Sequence, residues 1–97
     1  MIVRMIHVQV APNQYETARS MWKEHCAPLM IGAKGCLSEQ LLACQDVPGE
    51  MISMATWESK EDIDAYRSSP EHEEIQKRTR ELLSGARAVV KTYEIVP

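Results

Sequence analysis

The stretch that decides the fold is Met51-Ile-Ser-Met-Ala-Thr-Trp57-Glu-Ser59-Lys-Glu-Asp62-Ile-Asp-Ala-Tyr66-Arg-Ser-Ser69-Pro70-Glu-His72. Its first part alternates with the period of a strand over Met51 to Glu58. Met51, Ser53, Ala55 and Trp57 share one face, and Ile52, Met54 and Thr56 share the other. Ser59 followed three residues later by Asp62 has the spacing of a capping box. The serine oxygen takes an orphan helix N–H there, so a short helix begins and carries Ile63 and Tyr66. Ser69-Pro70 opens a second helix, with serine at the cap and proline where its missing N–H costs nothing. Glu71, Glu73 and Glu74 load its first turns with the charge a helix dipole favours, and Arg78 and Arg80 lie toward its end. Gly85, after Leu82 and Leu83, is the expected stop.

Upstream, a strand from about Cys36 to Gln45 and the turn Asp46-Val-Pro-Gly49 complete a hairpin with the strand that ends in Trp57. Ile2 to Val10 alternates as well, with Ile6, Val8 and Val10 on one face and Val3, Met5, His7 and Gln9 on the other. Pro12-Asn13 breaks that run, and Asn13 with Glu16 has capping-box spacing for a first helix. Tyr15, Ala18, Trp22, His25 or Cys26, and Leu29 form its stripe, which Pro28 is expected to kink or end. Gly32 and Gly35 punctuate the turn that follows, and Ala88 to Val96 reads as a last strand.

The order β-α-β-β-α-β predicts an α+β fold, a ferredoxin-like antiparallel sheet with helices on one face, as a single domain over residues 1–97. The other face would be left open with Ile6, Val8, Val10, Ile52 and Met54 on it. An apolar sheet face of that size calls for a second copy packed sheet to sheet, a homodimer. On this reading His7 joins Trp57 on the helix-covered face.

The chain has 97 residues, 44% apolar and 26% charged, enough apolar mass to collapse into a core. Its net charge of −3 argues against nucleic acid as a partner, because phosphate recognition needs a basic surface. The one basic cluster, Lys77, Arg78 and Arg80, is interleaved with Glu73, Glu74 and Glu81 and reads as a solvated helix face. No apolar run suits a membrane span and no leader pattern is legible, so a cytoplasmic protein is expected. Cys26, Cys36 and Cys44 are odd in number and lack a CxxC, which indicates reduced thiols rather than disulfides or zinc. His7, His25 and His72 have no close ligand spacing, so no metal is expected. Dinucleotide, P-loop, nucleophile-elbow and HExxH motifs are missing, which leaves nicotinamide, triphosphate and hydrolase readings unsupported.

The 51–72 stretch, a strand ending in Trp57-Glu-Ser, a capped helix and then Ser69-Pro70 opening another, resembles the antibiotic biosynthesis monooxygenase (ABM) domain family. The likeness extends to the first strand, the Pro12-Asn13 turn and the final Lys91-Thr-Tyr-Glu-Ile. It implies the dimeric α/β barrel, in which two such sheets pack together. It also implies a cofactor-independent oxygenase of a small aromatic or quinol-like substrate. Non-catalytic dimeric binding or stress-related modules and haem-degrading enzymes share the scaffold, and these remain alternatives. The family's strand-end tryptophan falls on Trp57, a flat wall with an N–H donor. In haem-degrading members an asparagine falls on His7 and the axial histidine on Gln76, so only Trp57 of their three site residues is retained. His72 lies one turn earlier on the same helix and is the residue there to reach a substrate, or a haem. In quinol-oxidising relatives a histidine stands nine residues after the tryptophan. Here that position is Tyr66, a hydrogen-bond donor. The expected site is therefore His7 as base, Tyr66 as donor, and Trp57 with His72 against the substrate.

Overall fold

The computed structural model describes the backbone of residues 1–82 and 87–97, and the side chains of residues 1–80 and 88–97. The elements are β1 (Ile2–Gln9), a 3-10 turn (Pro12–Gln14), α1 (Tyr15–Met21), a π turn (Trp22–Cys26), α2 (Ala27–Ile31), β2 (Cys36–Ala43), β3 (Glu50–Trp57), α3 (Lys60–Arg67), α4 (Pro70–Leu82) and β4 (Arg87–Glu94). The expected stop at Gly85 lies outside the described residues.

Both serine starts form as their spacing predicts. Ser59 Oγ accepts from the Asp62 N–H at 3.2 Å and donates to Asp62 Oδ2 at 3.0 Å. Ser69 Oγ accepts from the His72 N–H at 3.3 Å and donates to the Tyr66 carbonyl. This second cap ties the start of α4 to the end of α3. The Asn13 start does not form. Pro12 begins a 3-10 turn with Ala11 ahead of it, no side chain caps it, and Asn13 is consumed inside the turn. Pro28 does not end the helix either, since α2 runs on to Ile31. The turn before it widens instead, with the Ala27 N–H donating to the Trp22 carbonyl five residues back. A proline ring collides with the carbonyl four residues earlier in a regular α-helix, and a π turn relieves that collision.

The four strands lie in the order β2-β3-β1-β4, every neighbour antiparallel, which is the ferredoxin-like arrangement. The pairs Ile2↔Trp57, Arg4↔Ala55, Ile6↔Ser53 and Val8↔Met51 put the even residues of β1 on the face of Trp57. Paired residues share a face, and Ile2, Val8 and Val10 do pack into the core with Met51, Ala55 and Trp57. Ile6, Val8 and Val10 therefore belong to the helix side, contrary to the sequence expectation. The open face carries Val3, Met5 and His7 beside Thr56, Met54 and Ile52. His7, paired with Ile52, is on the face opposite Trp57. Alternation gives the two faces of β1 but not which is covered, because each is apolar enough to be buried.

The helix layer supplies Ala18, Met21, Cys26, Met30, Ile63 and Tyr66 to the core. Burial of one large apolar side chain contributes about 1.5–3 kcal/mol. Among the described residues this layer leaves β4 open, since Val90, on the helix-facing side, is 50% exposed. Gly35 opens β2 with φ +85°, and a Cβ there would overlap the Asp62 side chain. Its carbonyl accepts from the Glu58 N–H at 2.9 Å, which closes the β2 entry onto the end of β3.

Candidate functional site

Trp57 ends β3 beneath α3 and is 0% exposed. Its ring centroid is 5.1 Å from that of Tyr66, which α3 presents from its inner face. Tyr66 in turn meets His72 edge-on at 5.0 Å. The Ser69 cap fixes this last contact, because it sets the first turn of α4 directly after Tyr66. Three of the four residues expected at the site are therefore brought together, and His7 is not among them. The Nε2 of His7 is buried on the open face with no hydrogen-bond partner among the described residues.

Burial governs the protonation of the group. The Tyr66 phenol is pushed above its ordinary value, first by desolvation and against the pull of the Arg4 charge. The His72 imidazole is pulled below its ordinary value, by desolvation and then by Arg4. Arg4, on the same face of β1, is only 6% exposed, and burial lowers its guanidinium as well.

Beside these aromatic rings is a carboxyl that the sequence reading passed over. Glu39 Oε1 accepts from Ser53 Oγ at 2.6 Å and from Trp22 Nε1 at 3.2 Å. Its Oε2 is buried with no partner among the described residues, as is the Nε1 of Trp57. Desolvation pushes the Glu39 carboxyl up to about 7, against the downward pull of the Ser53 and Trp22 hydrogen bonds and the Arg4 charge. A carboxyl in that range exchanges a proton at neutral pH, the property asked of a general base. Glu39 was hidden by a bulge. The pairing moves from Cys36↔Trp57 to Ser38↔Thr56, so Leu37 is the extra residue, and Cys36 and Glu39 come to share the helix side despite their odd separation.

Tyr66 also lines a cleft of about 660 Å³ between α2 and α3, with Leu29, Ala33, Asp62 and Ser69 around it. That volume is in the range of small-molecule sites. Among the described residues no cluster of three or more His, Cys, Asp or Glu side chains is arranged to hold a metal ion. No helix among them is long and apolar enough to cross a membrane.

Comparison with known proteins gives both fold and family. The chain superimposes on a candidate antibiotic biosynthesis monooxygenase from Deinococcus radiodurans with a TM-score of 0.86, covering 100% of this chain and 94% of that one at 14% identity. Rv0793 from Mycobacterium tuberculosis matches with a TM-score of 0.77 over 100% and 97% of the two chains at 21% identity. A conserved protein from Methanosarcina mazei Go1 matches at 0.78 over 96% and 91%, with 17% identity. A comparison with curated proteins gives no match. The family model described as antibiotic biosynthesis monooxygenase matches residues 1–78, most of the chain, and the protein belongs to that family.

Proposed function

We propose that this protein is a monooxygenase that acts on a small aromatic or quinol-like substrate with no bound organic cofactor. The observation that carries the reading is the buried Trp57–Tyr66–His72 aromatic group beside the titratable carboxyl of Glu39, with a small-molecule-sized cleft at Tyr66. Family membership supports the reaction class. The chemistry needs no electron source other than the substrate. A phenol that leaves as a quinone gives up four electrons to O₂, one oxygen atom entering the ring and the other leaving as water. O₂ reacts slowly with closed-shell molecules, so the protein's contribution is to make the phenol electron-rich by removing its proton, and to hold the ring flat against Trp57.

The residues of α4 do not fit haem. Iron needs a strong axial donor with open access. Gln76, at the family's axial position, is exposed and offers a carboxamide. His72 is packed edge-on against Tyr66. The reaction proposed here runs without haem.

The working unit we propose is a homodimer joined through the open sheet face. Val3, Met5, Ile52 and Met54 are half-buried there with no covering layer among the described residues, and Val89 and Tyr93 extend the apolar surface onto β4. The free thiols of Cys26, Cys36 and Cys44 support a cytoplasmic setting.

Oxygen uptake with a panel of hydroquinones and naphthols tests the reading, with a haem titration beside it. Consumption of O₂ with formation of a quinone supports it. A tight Soret-shifted haem complex with no aromatic turnover would replace it.

A further inference from the structure

The strand register sets His7 in the middle of the open face. One row across the four strands reads Leu42, Ile52, His7 and Val89, and the row beside it Gln40, Met54, Met5 and Lys91. His7 is thus flanked by three aliphatic residues in its own row and by two methionines in the next. It is half-buried, yet its Nε2 is enclosed and has no hydrogen-bond partner among the described residues. Buried polar atoms are paired in the great majority of native structures. Around this orphan nitrogen the face stays open in the single chain, with Leu42 40%, Tyr93 46% and Val89 52% exposed.

Few charged groups share the face with His7. Lys91 of β4 and Glu50 of β3 are each diagonal to it, and Arg87 holds the register position opposite Gln9 at the strand end. Tyr93 is two rows away, beside Val3. β2 contributes Ser38, Gln40 and Leu42, none of them charged. Diagonal neighbours on one face are about 7–8 Å apart, so Lys91 and Glu50 act on His7 from similar distances with opposite sign. Their effects offset each other, which leaves burial to decide the charge of the ring.

Four strands of eight residues cover roughly 26 by 19 Å at the usual rise and spacing. Two copies packed on that face bury about 1,000 Å² in projection, which reaches the size of a specific interface. A two-fold interface sets the same patch on both sides. The middle of one face then meets the middle of the other, and both His7 rings enter one dry layer.

We propose that His7 is an acid-sensitive release in the sheet-to-sheet homodimer, which holds two neutral His7 side chains and comes apart when they are protonated. In the free protomer the imidazole turns Nε2 out to water and takes up its proton with full hydration. Between two sheets it cannot turn, and an imidazolium would be a buried charge without a partner, far more costly than a neutral polar ring. Histidine is the side chain whose charge changes between about pH 5 and pH 8. The dimer binds fewer protons than two free protomers, so it is strongest above that range and weakens as pH falls through it. The release deepens the homodimer reading and rests on it.

Sedimentation from about pH 8 down to about pH 5 tests the release, using the wild type, His7→Gln, His7→Leu and the surface control His25→Ala. Circular dichroism at each pH verifies the fold. His7→Gln keeps a polar side chain without the titrating proton, and His7→Leu matches the rest of the row. The wild-type dimer should weaken below about pH 6.5 by up to about 100-fold per pH unit, tenfold for each of its two histidines. Both His7 variants should keep one dimer constant across the range, and His25→Ala should follow the wild type. Changes at Glu39, Glu50 and His72 are common to all four proteins and cancel in the comparison. A wild-type dimer of constant strength, or one that weakens no more than both His7 variants do, would overturn the release and leave the homodimer standing. A folded wild type that is monomeric at every pH would overturn both. If His7→Gln alone fails to dimerise, His7→Leu decides by the same criterion. Loss of the dimer in both variants at about pH 8 would also count against the release, because a site that holds a neutral imidazole must tolerate an uncharged replacement.

Discussion

Trp57 and Tyr66 lie with their ring centroids 5.1 Å apart and their planes inclined by 39°, and the same Tyr66 ring receives the edge of His72. One residue from the sheet, one from α3 and one from α4 thus meet in a single aromatic group. Trp57 is a core residue of this group and, in the function proposed above, also the substrate's wall; two substitutions separate the roles. Trp57→Ala should destabilise the fold by about 3–5 kcal/mol, as expected for deleting a buried tryptophan, read by urea unfolding. Trp57→Phe keeps the wall and removes the N–H. It should stay folded and bind 4-nitrophenol about tenfold more weakly. Undiminished binding by the folded Trp57→Phe protein would assign the indole N–H no part in recognition.

Glu39 makes stability depend on pH in a direction opposite to that of an ion-paired carboxylate. Its folded-state value is about 7 against an ordinary 4.5. Between those values the folded chain keeps a proton that the unfolded chain has released. Stability is therefore highest below about 4.5 and declines as pH rises, levelling off above about 7. The loss attributable to Glu39 reaches at most about 3 kcal/mol at 1.36 kcal/mol per unit. Urea midpoints of the wild type relative to Glu39→Gln, taken from pH 5 to about pH 8, should show that decline. A difference constant across the window would place the folded-state value of Glu39 near its ordinary one.

Ile52→Asp puts a carboxylate in the middle of the open face, beside His7 and Leu42. The homodimer should give way to monomer or aggregate, measured by analytical ultracentrifugation, because a buried charge without a partner costs several kcal/mol. A wild-type sample sedimenting as a folded monomer would count against the sheet-to-sheet dimer.

Gly35→Ala should destabilise by at least about 1–2 kcal/mol, the cost of a side chain in the left-handed region, because a Cβ would also overlap Asp62. Asp62 belongs to the Ser59 cap, so the start of α3 should loosen with it. Amide exchange at Ile63 and Tyr66 would show this as lost protection relative to β1 and β3.

What the sequence made legible was local chemistry. Ser59, Ser69 and Pro70 act within one turn of themselves, and the helices start where those residues say. The strand positions and their order followed from alternation and turns. The sidedness of β1 did not, because Val3 and Met5 are as apolar as Ile6 and Val8, and only the cross-strand register with Trp57 decides it. The placement of His7 beside Trp57 failed for that reason alone. Trp57, Tyr66 and His72 could be singled out, yet their meeting depends on how α3 and α4 return over the sheet. Arg4 and Glu39 were passed over because charged residues on strands are usually solvated. One is buried by the helix layer and the other is turned inward by the bulge at Leu37.

The position of β1 between β3 and β4 also bears on how the chain is made. The ladder that pairs Ile2 with Glu94 joins segments at opposite ends of the chain. A nascent polypeptide still lacking Arg87–Glu94 holds β1 against β3 alone, with an unsatisfied strand edge where β4 belongs. Long-range pairing of this kind is slow to form and exposed to aggregation while it waits. The sheet is therefore completed only once β4 is available, and a chain cut short before β4 exposes a sticky edge.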